Sequence, residues 1–200
     1  MKLIIFDLDQ TLVDFVPLHN ELTHRLFKKY FAVEAWLSEI DHHGRSQSDG
    51  MRNLAKLKGV PEIPDSLMGQ ILEEFGRDFA AEMPHDVSAS ILPGARELLD
   101  SLSHTDNVIA LYTGDAPEVV SAVFQATGFG KYFAFRFYGT QFAERAEMVK
   151  MAVEKAQQAT GWEFKDANVV IVGDALRDVE CGLKFNAFTI SVANRTLFGR

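Results

Sequence analysis

The feature that most constrains this chain is a run of four apolar residues, Leu3-Ile4-Ile5-Phe6, followed at once by Asp7, Leu8 and Asp9 and then by the hydroxyl of Thr11. An unbroken apolar run of that length reads as a strand buried on both faces, the kind found in parallel sheets covered by helices. Two carboxylates two residues apart on an extended strand end point to the same side. There each raises the proton affinity of the other unless a cation or a proton is shared. Taken alone, the stretch also admits an ordinary turn at Asp9, with Asp7 as a solvated strand end.

The rest of the chain divides by its periodicity. From Phe15 to Ala89 only helices are expected: about residues 18–33, 51–58 and 66–82, with a polar, glycine-bounded loop over residues 41–50. After Ile91-Leu92-Pro93-Gly94 the pattern alternates. Helices are expected near residues 95–103, 117–127, 145–158 and 179–185, and strands near 108–112, 133–138, 168–172 and 188–192. Alternation of this kind predicts an α/β fold, a mostly parallel sheet covered on both faces, with ligands beyond the carboxyl ends of its strands. The expected division is a core of residues 1–14 and 90–200 and an all-helical insertion of residues 15–89.

Composition narrows the functional classes. At 200 residues and 47% hydrophobic content the chain suits one compact domain, or one domain with a sizeable insertion. No apolar run approaches the ~20 residues needed to span a bilayer, and no secretory leader is recognisable, so neither a membrane nor an export role is expected and a cytoplasmic location is. The net charge of −8 opposes non-specific binding to nucleic acid. The single cysteine, Cys181, permits no internal disulfide and reads as a packing group.

Three expected strands run into polar residues. Beside Asp7 and Asp9 there are Thr113-Gly114-Asp115, followed by Pro117 and Glu118, where Asp115 is expected to cap the helix with Glu118 as reciprocal partner. Free amides at that helix start, beside the Thr113 hydroxyl, would seat phosphate oxygens. The third strand end supplies Asp174 and Asp178. Several carboxylates on one sheet edge call for a hard divalent cation, and magnesium fits best. A carboxylate is a poor nucleophile toward an anionic phosphate unless a cation neutralises both. The basic residue for such a site is expected on the helix near residue 145, with Arg145 preferred to Lys150.

These residues resemble the haloacid dehalogenase superfamily, in its phosphoglycolate-phosphatase-like branch. Asp7-Leu8-Asp9-Gln10-Thr11-Leu12 is similar to the family's DxDGT(L/V), Leu111-Tyr112-Thr113-Gly114 to its apolar run ending in Thr or Ser, and Gly173-Asp174 with Asp178 to its GDxxxD. The resemblance implies a Rossmann-like core and a helical cap over residues 15–89. It implies a phosphatase acting on small phosphate monoesters, with Asp7 as nucleophile and Asp9 as proton carrier. Magnesium would be held by Asp7, the Asp9 carbonyl and Asp174, with Asp178 in support through water. Thr113, Gly114 and Arg145 would hold the phosphoryl group.

Gln10 stands where the family has glycine, no Lys-Pro pair is present, and the chain stops at Gly199-Arg200 where relatives commonly add a strand, which suggests a truncated or an unusually short core. Arg45, in a phrase similar to the family's Gly-Arg-Thr-Asp, is a substrate-contact candidate together with Gln10 and Lys150. His42 and His43 are adjacent, and His19 and His24 lie five apart, poor spacings for a shared metal. A phosphomutase resembling β-phosphoglucomutase and a non-catalytic binding protein are the alternatives. Oligomeric state is not legible.

Overall fold

In the computed structural model, residues 1–142 and 144–193 are described; Ala143 and residues 194–200, including the Gly199-Arg200 end, lie outside the described residues. Five strands, β1 (Leu3–Phe6), β2 (Val108–Thr113), β3 (Phe135–Tyr138), β4 (Val169–Gly173) and β5 (Phe188–Ser191), form one sheet in the order β3-β2-β1-β4-β5. Every pairing is parallel. The chain fills one side of β1 with β2 and β3 and then crosses to place β4 and β5 on the other. This reversal of strand order beside β1 opens a crevice at the carboxyl edge.

Four helices cover the sheet: α4 (Ala95–Ser103) and α5 (Pro117–Thr127) on one face, α6 (Arg145–Thr160) and α7 (Leu176–Lys184) on the other. Strand periodicity sorts the core accordingly. Ile4 and Phe6 join Ile109, Leu111, Val170 and Val172 against α5, whereas Leu3 and Ile5 join Ala110, Tyr112, Val169 and Ile171 against Val149, Ala152 and Ala156 of α6. All residues of β1 and β4 are buried, as the continuous apolar runs require. Strand β5 is an edge, with Phe188 and Ile190 exposed.

Between β1 and α4 the chain is helical, with α1 (Val16–Phe31), α2 (Gln47–Leu57) and α3 (Asp65–Glu82). The two strands of chain that lead into and out of this insertion run side by side: Asp14 N–H donates to Ser90 O at 2.7 Å and Leu92 N–H to Leu12 O at 3.0 Å. Helix α3 packs on α5 so closely that a Cβ at Gly76 would stand 2.7 Å from Glu118 Cβ. The expected loop over residues 41–50 is shorter than predicted. Ser46 accepts from Asp49 N–H at 3.2 Å and starts α2 at Gln47, with Gly50 already buried in its first turn. Among the described residues no helix is long and apolar enough to cross a membrane.

Candidate active site

One cavity lies over the carboxyl edge of β1, β2 and β4. It is lined from the sheet by Asp7, Asp9, Thr113, Asp115 and Asp174, from the start of α6 by Arg145, and from the insertion by His19, His42, Arg45 and Gln47. Its volume of about 90 Å³ is below the ~150 Å³ that houses one benzene in an engineered apolar cavity, so the space between insertion and sheet edge is small, though partly open.

Asp7 follows directly on β1, and its N–H donates to Val172 O at 2.9 Å, prolonging the β1–β4 ladder by one residue. The side chain is buried and pairs through Oδ1 with Arg145 Nη2, while the Thr11 hydroxyl lies 3.4 Å from Oδ2. Burial pushes the Asp7 carboxyl well above its ordinary range; Arg145 pulls it back, and Asp178 and Asp174 push it further up. Asp9 is turned the other way. Its Oδ1 accepts from Phe15 N–H at 2.8 Å, and Oδ2 lies 3.9 Å from His19 Nε2. Burial first, then the Asp115 charge, raises Asp9 well above the usual carboxylate value, which favours its protonated form.

Arg145 is fixed on three sides. Beyond Asp7, its Nε stands 2.9 Å from Asp178 Oδ1 in an ion pair without a directed hydrogen bond, and its guanidinium lies over the Tyr112 ring, 4.2 Å from the centroid. Of the two basic candidates, only Arg145 reaches the cavity. Lys150 sits five residues further along α6, about 140° around the helix. Its ammonium is exposed and 4.0 Å from Glu154, so the expectation that Lys150 contacts substrate is not met by its placement.

Asp178 also stands differently from expectation. It is fully buried, accepting from Tyr112 Oη at 2.5 Å and, through Oδ2, from Ala175 N–H at 2.9 Å. Both its oxygens therefore go to protein partners that start α7 and hold Arg145, rather than to a solvent shell. Asp115 does not cap α5: the cap position is Ala116, without a side-chain bond. Instead Thr113 Oγ1 lies 3.2 Å from Asp115 Oδ2 and accepts from Asp115 N–H at 3.2 Å.

Gln10 adopts φ 63°, the left-handed conformation that explains why glycine suits this place. Gly114 is needed for close approach: a Cβ there would overlap the Arg45 carbonyl, and Gly114 O accepts from Gln47 N–H at 2.9 Å. Arg177 Nη1 adds bonds to His43 O at 2.5 Å and Asp41 Oδ2 at 3.3 Å. The insertion is thus docked on the sheet edge through residues 41–47. Arg45 lines the cavity, with its Nε bonded to Asp41 O at 2.8 Å.

Sequence reasoning passed over His19. It is buried between Phe75 and Phe79, with its Nε2 3.8 Å from Asp115 Oδ1, and burial lowers its pKa. A signal was present, because His19 shares the buried helical face of Leu22 and Leu26 at i, i+3 and i+7. Gln47 was hidden by the loop expectation, although Ser46-x-x-Asp49 is a helix-start pattern.

Among the described residues no three His, Cys, Asp or Glu side chains form a ready metal-binding cluster. A set of two carboxylates and a backbone carbonyl would not need one. Asp174 Oδ2 is buried with no hydrogen bond, His43 Nδ1 lying 3.8 Å away, and Thr11 Oγ1 lies within 3.5 Å of both the Asp7 and Asp174 carboxylates. Burial, and then Asp178, raise Asp174. An all-oxygen donor set with an unmet buried carboxylate fits a hard divalent cation that completes its shell with water and phosphate.

The family model for haloacid dehalogenase-like hydrolases matches residues 4–192. A phosphoglycolate phosphatase of Vibrio vulnificus is 28% identical over 185 residues, covering 90% of this chain and 78% of that protein. Similar solved structures include a predicted phosphoglycolate phosphatase from Haemophilus somnus, 18% identical with TM-score 0.72, covering 96% of this chain and 84% of that one. Another is β-phosphoglucomutase from Clostridium difficile, 17% identical with TM-score 0.77, covering 98% and 86%. At these identities the two structures speak for the fold.

Proposed function

Because this chain belongs to the haloacid dehalogenase-like hydrolases, we propose that it is a magnesium-dependent phosphohydrolase that cleaves small phosphate monoesters through an aspartyl-phosphate. The observation that carries this reading is the pair Asp7 and Asp9 at the end of the central strand, one held by Arg145 and the other by the Phe15 amide, in one cavity with Thr113 and Asp174. The similarity to phosphoglycolate phosphatases supports phosphate-ester chemistry.

Asp7 attacks phosphorus, and the bond from phosphorus to the ester oxygen breaks. Asp9, protonated in its buried seat, gives its proton to the departing alkoxide. A water then attacks phosphorus, the Asp7–phosphorus bond breaks, and Asp9 takes the proton that water releases. Arg145 aims the Asp7 carboxylate and opposes the burial that would otherwise protonate it. The Thr113 hydroxyl and the Gly114 amide hold phosphoryl oxygens. Magnesium, held by the Asp7 carboxylate, the Asp9 carbonyl and Asp174, would supply charge neutralisation between nucleophile and phosphate. Residues 15–89 act as a cap that excludes bulk water while the acyl-phosphate forms.

The test is phosphate release from a panel of monoesters with magnesium. Wild-type turnover that disappears in Asp7→Asn supports the reading. Turnover retained by that variant, isomerised sugar phosphate in place of free phosphate, or no turnover across the panel would overturn it.

A further inference from the structure

The cavity wall contributed by the insertion sets the apolar side chains of Val16, Leu37, Met51 and Phe75 beside polar ones, and some of those polar atoms the protein leaves unmet. The side-chain amide of Gln47 is buried there, and among the described residues neither its Oε1 nor its Nε2 has a partner. Exchanging the amide oxygen and nitrogen changes nothing, since either assignment leaves one donor and one acceptor open. The backbone of Gln47 is pinned by its bond to Gly114 O, so the amide is held at the cavity rather than swept through solvent. His42 lines the same cavity. Its Nδ1 lies 3.3 Å from Ile40 O, which fixes the proton on Nδ1 and leaves Nε2 as an acceptor, again buried and without a partner. Burial holds His42 below its ordinary pKa, keeping the ring neutral.

Buried polar atoms cost stability unless a ligand or water meets them, so their pattern describes what completes the site. Here the open set is the Gln47 NH₂ as donor and Gln47 Oε1 and His42 Nε2 as acceptors. A carboxylate accepts only: it would satisfy the Gln47 NH₂ and press lone pairs against Gln47 Oε1 and His42 Nε2. Charge adds to this: the carboxylates of Asp9, Asp115 and Asp174 line the cavity, against Arg145, committed to Asp7 and Asp178, and Arg45, whose Nε is bonded to Asp41 O. A hydroxyl both donates and accepts. The volume of about 90 Å³ suits an alcohol portion of short chain.

Resting on the phosphohydrolase reading, we infer that Gln47 and His42 read a hydroxyl on the leaving alcohol, so that this chain selects short hydroxylated alkyl monophosphates over carboxylated ones. The selectivity lies in the insertion, apart from the groups that handle phosphorus.

Three ligands of similar length separate the contributions: 2-hydroxyethyl phosphate, 2-phosphoglycolate and ethyl phosphate. Two readouts are taken, kcat/KM with the wild-type protein and magnesium, and affinity for the Asp7→Asn protein by titration calorimetry. The hydroxylated ligand is expected to lead both others by about tenfold or more, as for a site whose buried polar groups go unpaired with the wrong ligand. In Gln47→Leu, and separately in His42→Phe, its lead over ethyl phosphate should shrink toward unity. Equal or better handling of 2-phosphoglycolate, or a hydroxyl preference that survives both substitutions, overturns the inference. Calorimetry decides it even if no phosphate is released, an outcome that would count against the hydrolase reading alone.

Discussion

The two walls of the cavity differ in how their polar groups are satisfied. On the sheet side, Asp7, Arg145, Asp178 and Tyr112 are joined to one another, as are Thr113 and Asp115 beside them, and the open oxygen is Asp174 Oδ2, where a cation would sit. On the insertion side, both polar atoms of the Gln47 amide and the Nε2 of His42 are buried and open. A group that must act identically in every cycle gains from being locked by its neighbours before substrate arrives. A group that must recognise one ligand among several gains from being unmet until that ligand binds.

The sharpest way to test the sheet wall is to remove its proposed nucleophile. Asp7→Asn should lower phosphate release by at least ~10³-fold while leaving the protein folded, checked by release kinetics beside circular dichroism. Next in size is the network behind it. Arg145→Ala leaves Asp7 and Asp178 buried without their cation and should cost about 3–5 kcal/mol in urea unfolding, whereas Lys150→Ala, on the solvent side of the same helix, should change stability by no more than ~0.5 kcal/mol. Similar losses from both would remove the distinction between them.

The seam between the walls is probed at Gly114. A methyl group there meets the Arg45 carbonyl, so Gly114→Ala should hold the insertion off the sheet edge and lower kcat/KM roughly 10²-fold with little change in unfolding free energy. A wild-type rate would mean that docking of residues 41–47 is not needed for turnover.

His19 ties the insertion to Asp9, and its titration gives a gentler test. Burial holds His19 below its ordinary value near 6.5 in the folded protein, so the unfolded chain binds the proton more readily. This contribution to stability is fully present above the unfolded pKa and is lost as pH falls through the folded one. Thermal melts of metal-free protein should therefore weaken more steeply below about pH 6.5 in the wild type than in His19→Gln. Parallel curves would place His19 outside the pH response. Smallest of all is Gln10→Gly. Relief of about 1–2 kcal/mol of left-handed strain is set against the 0.5–1 kcal/mol entropic cost of glycine, so a gain of roughly 0.5–1 kcal/mol is expected in denaturant melts.

Much of the core was legible because strand ends carry local signals. The apolar run before Asp7, the run ending at Thr113 and the Gly173-Asp174 step each lie within a few residues, and the parallel alternation brings such ends to one edge. The helix from Pro117 to Thr127 was legible for the same local reason, with proline at its start and glycine after its end. Legibility failed where a side chain's partner is distant. Asp115 looked like a cap for the next helix, but its carboxylate accepts from the Thr113 hydroxyl instead. Arg145 and Lys150 share a helix, and only the packing of α6 on the sheet turns the first toward Asp7.

The sequence by itself determined which chemical groups stand at the ends of β1, β2 and β4, because buried parallel strands allow little else to follow them. Tertiary structure alone decided how those groups are held and what faces them. The bond between Arg145 and Asp7 spans 138 residues, and the bond from Gln47 to Gly114 joins the insertion to a strand end. Interactions across such separations leave no periodicity in the chain. They depend on where whole helices come to rest, and that is set by the shared apolar core beneath them.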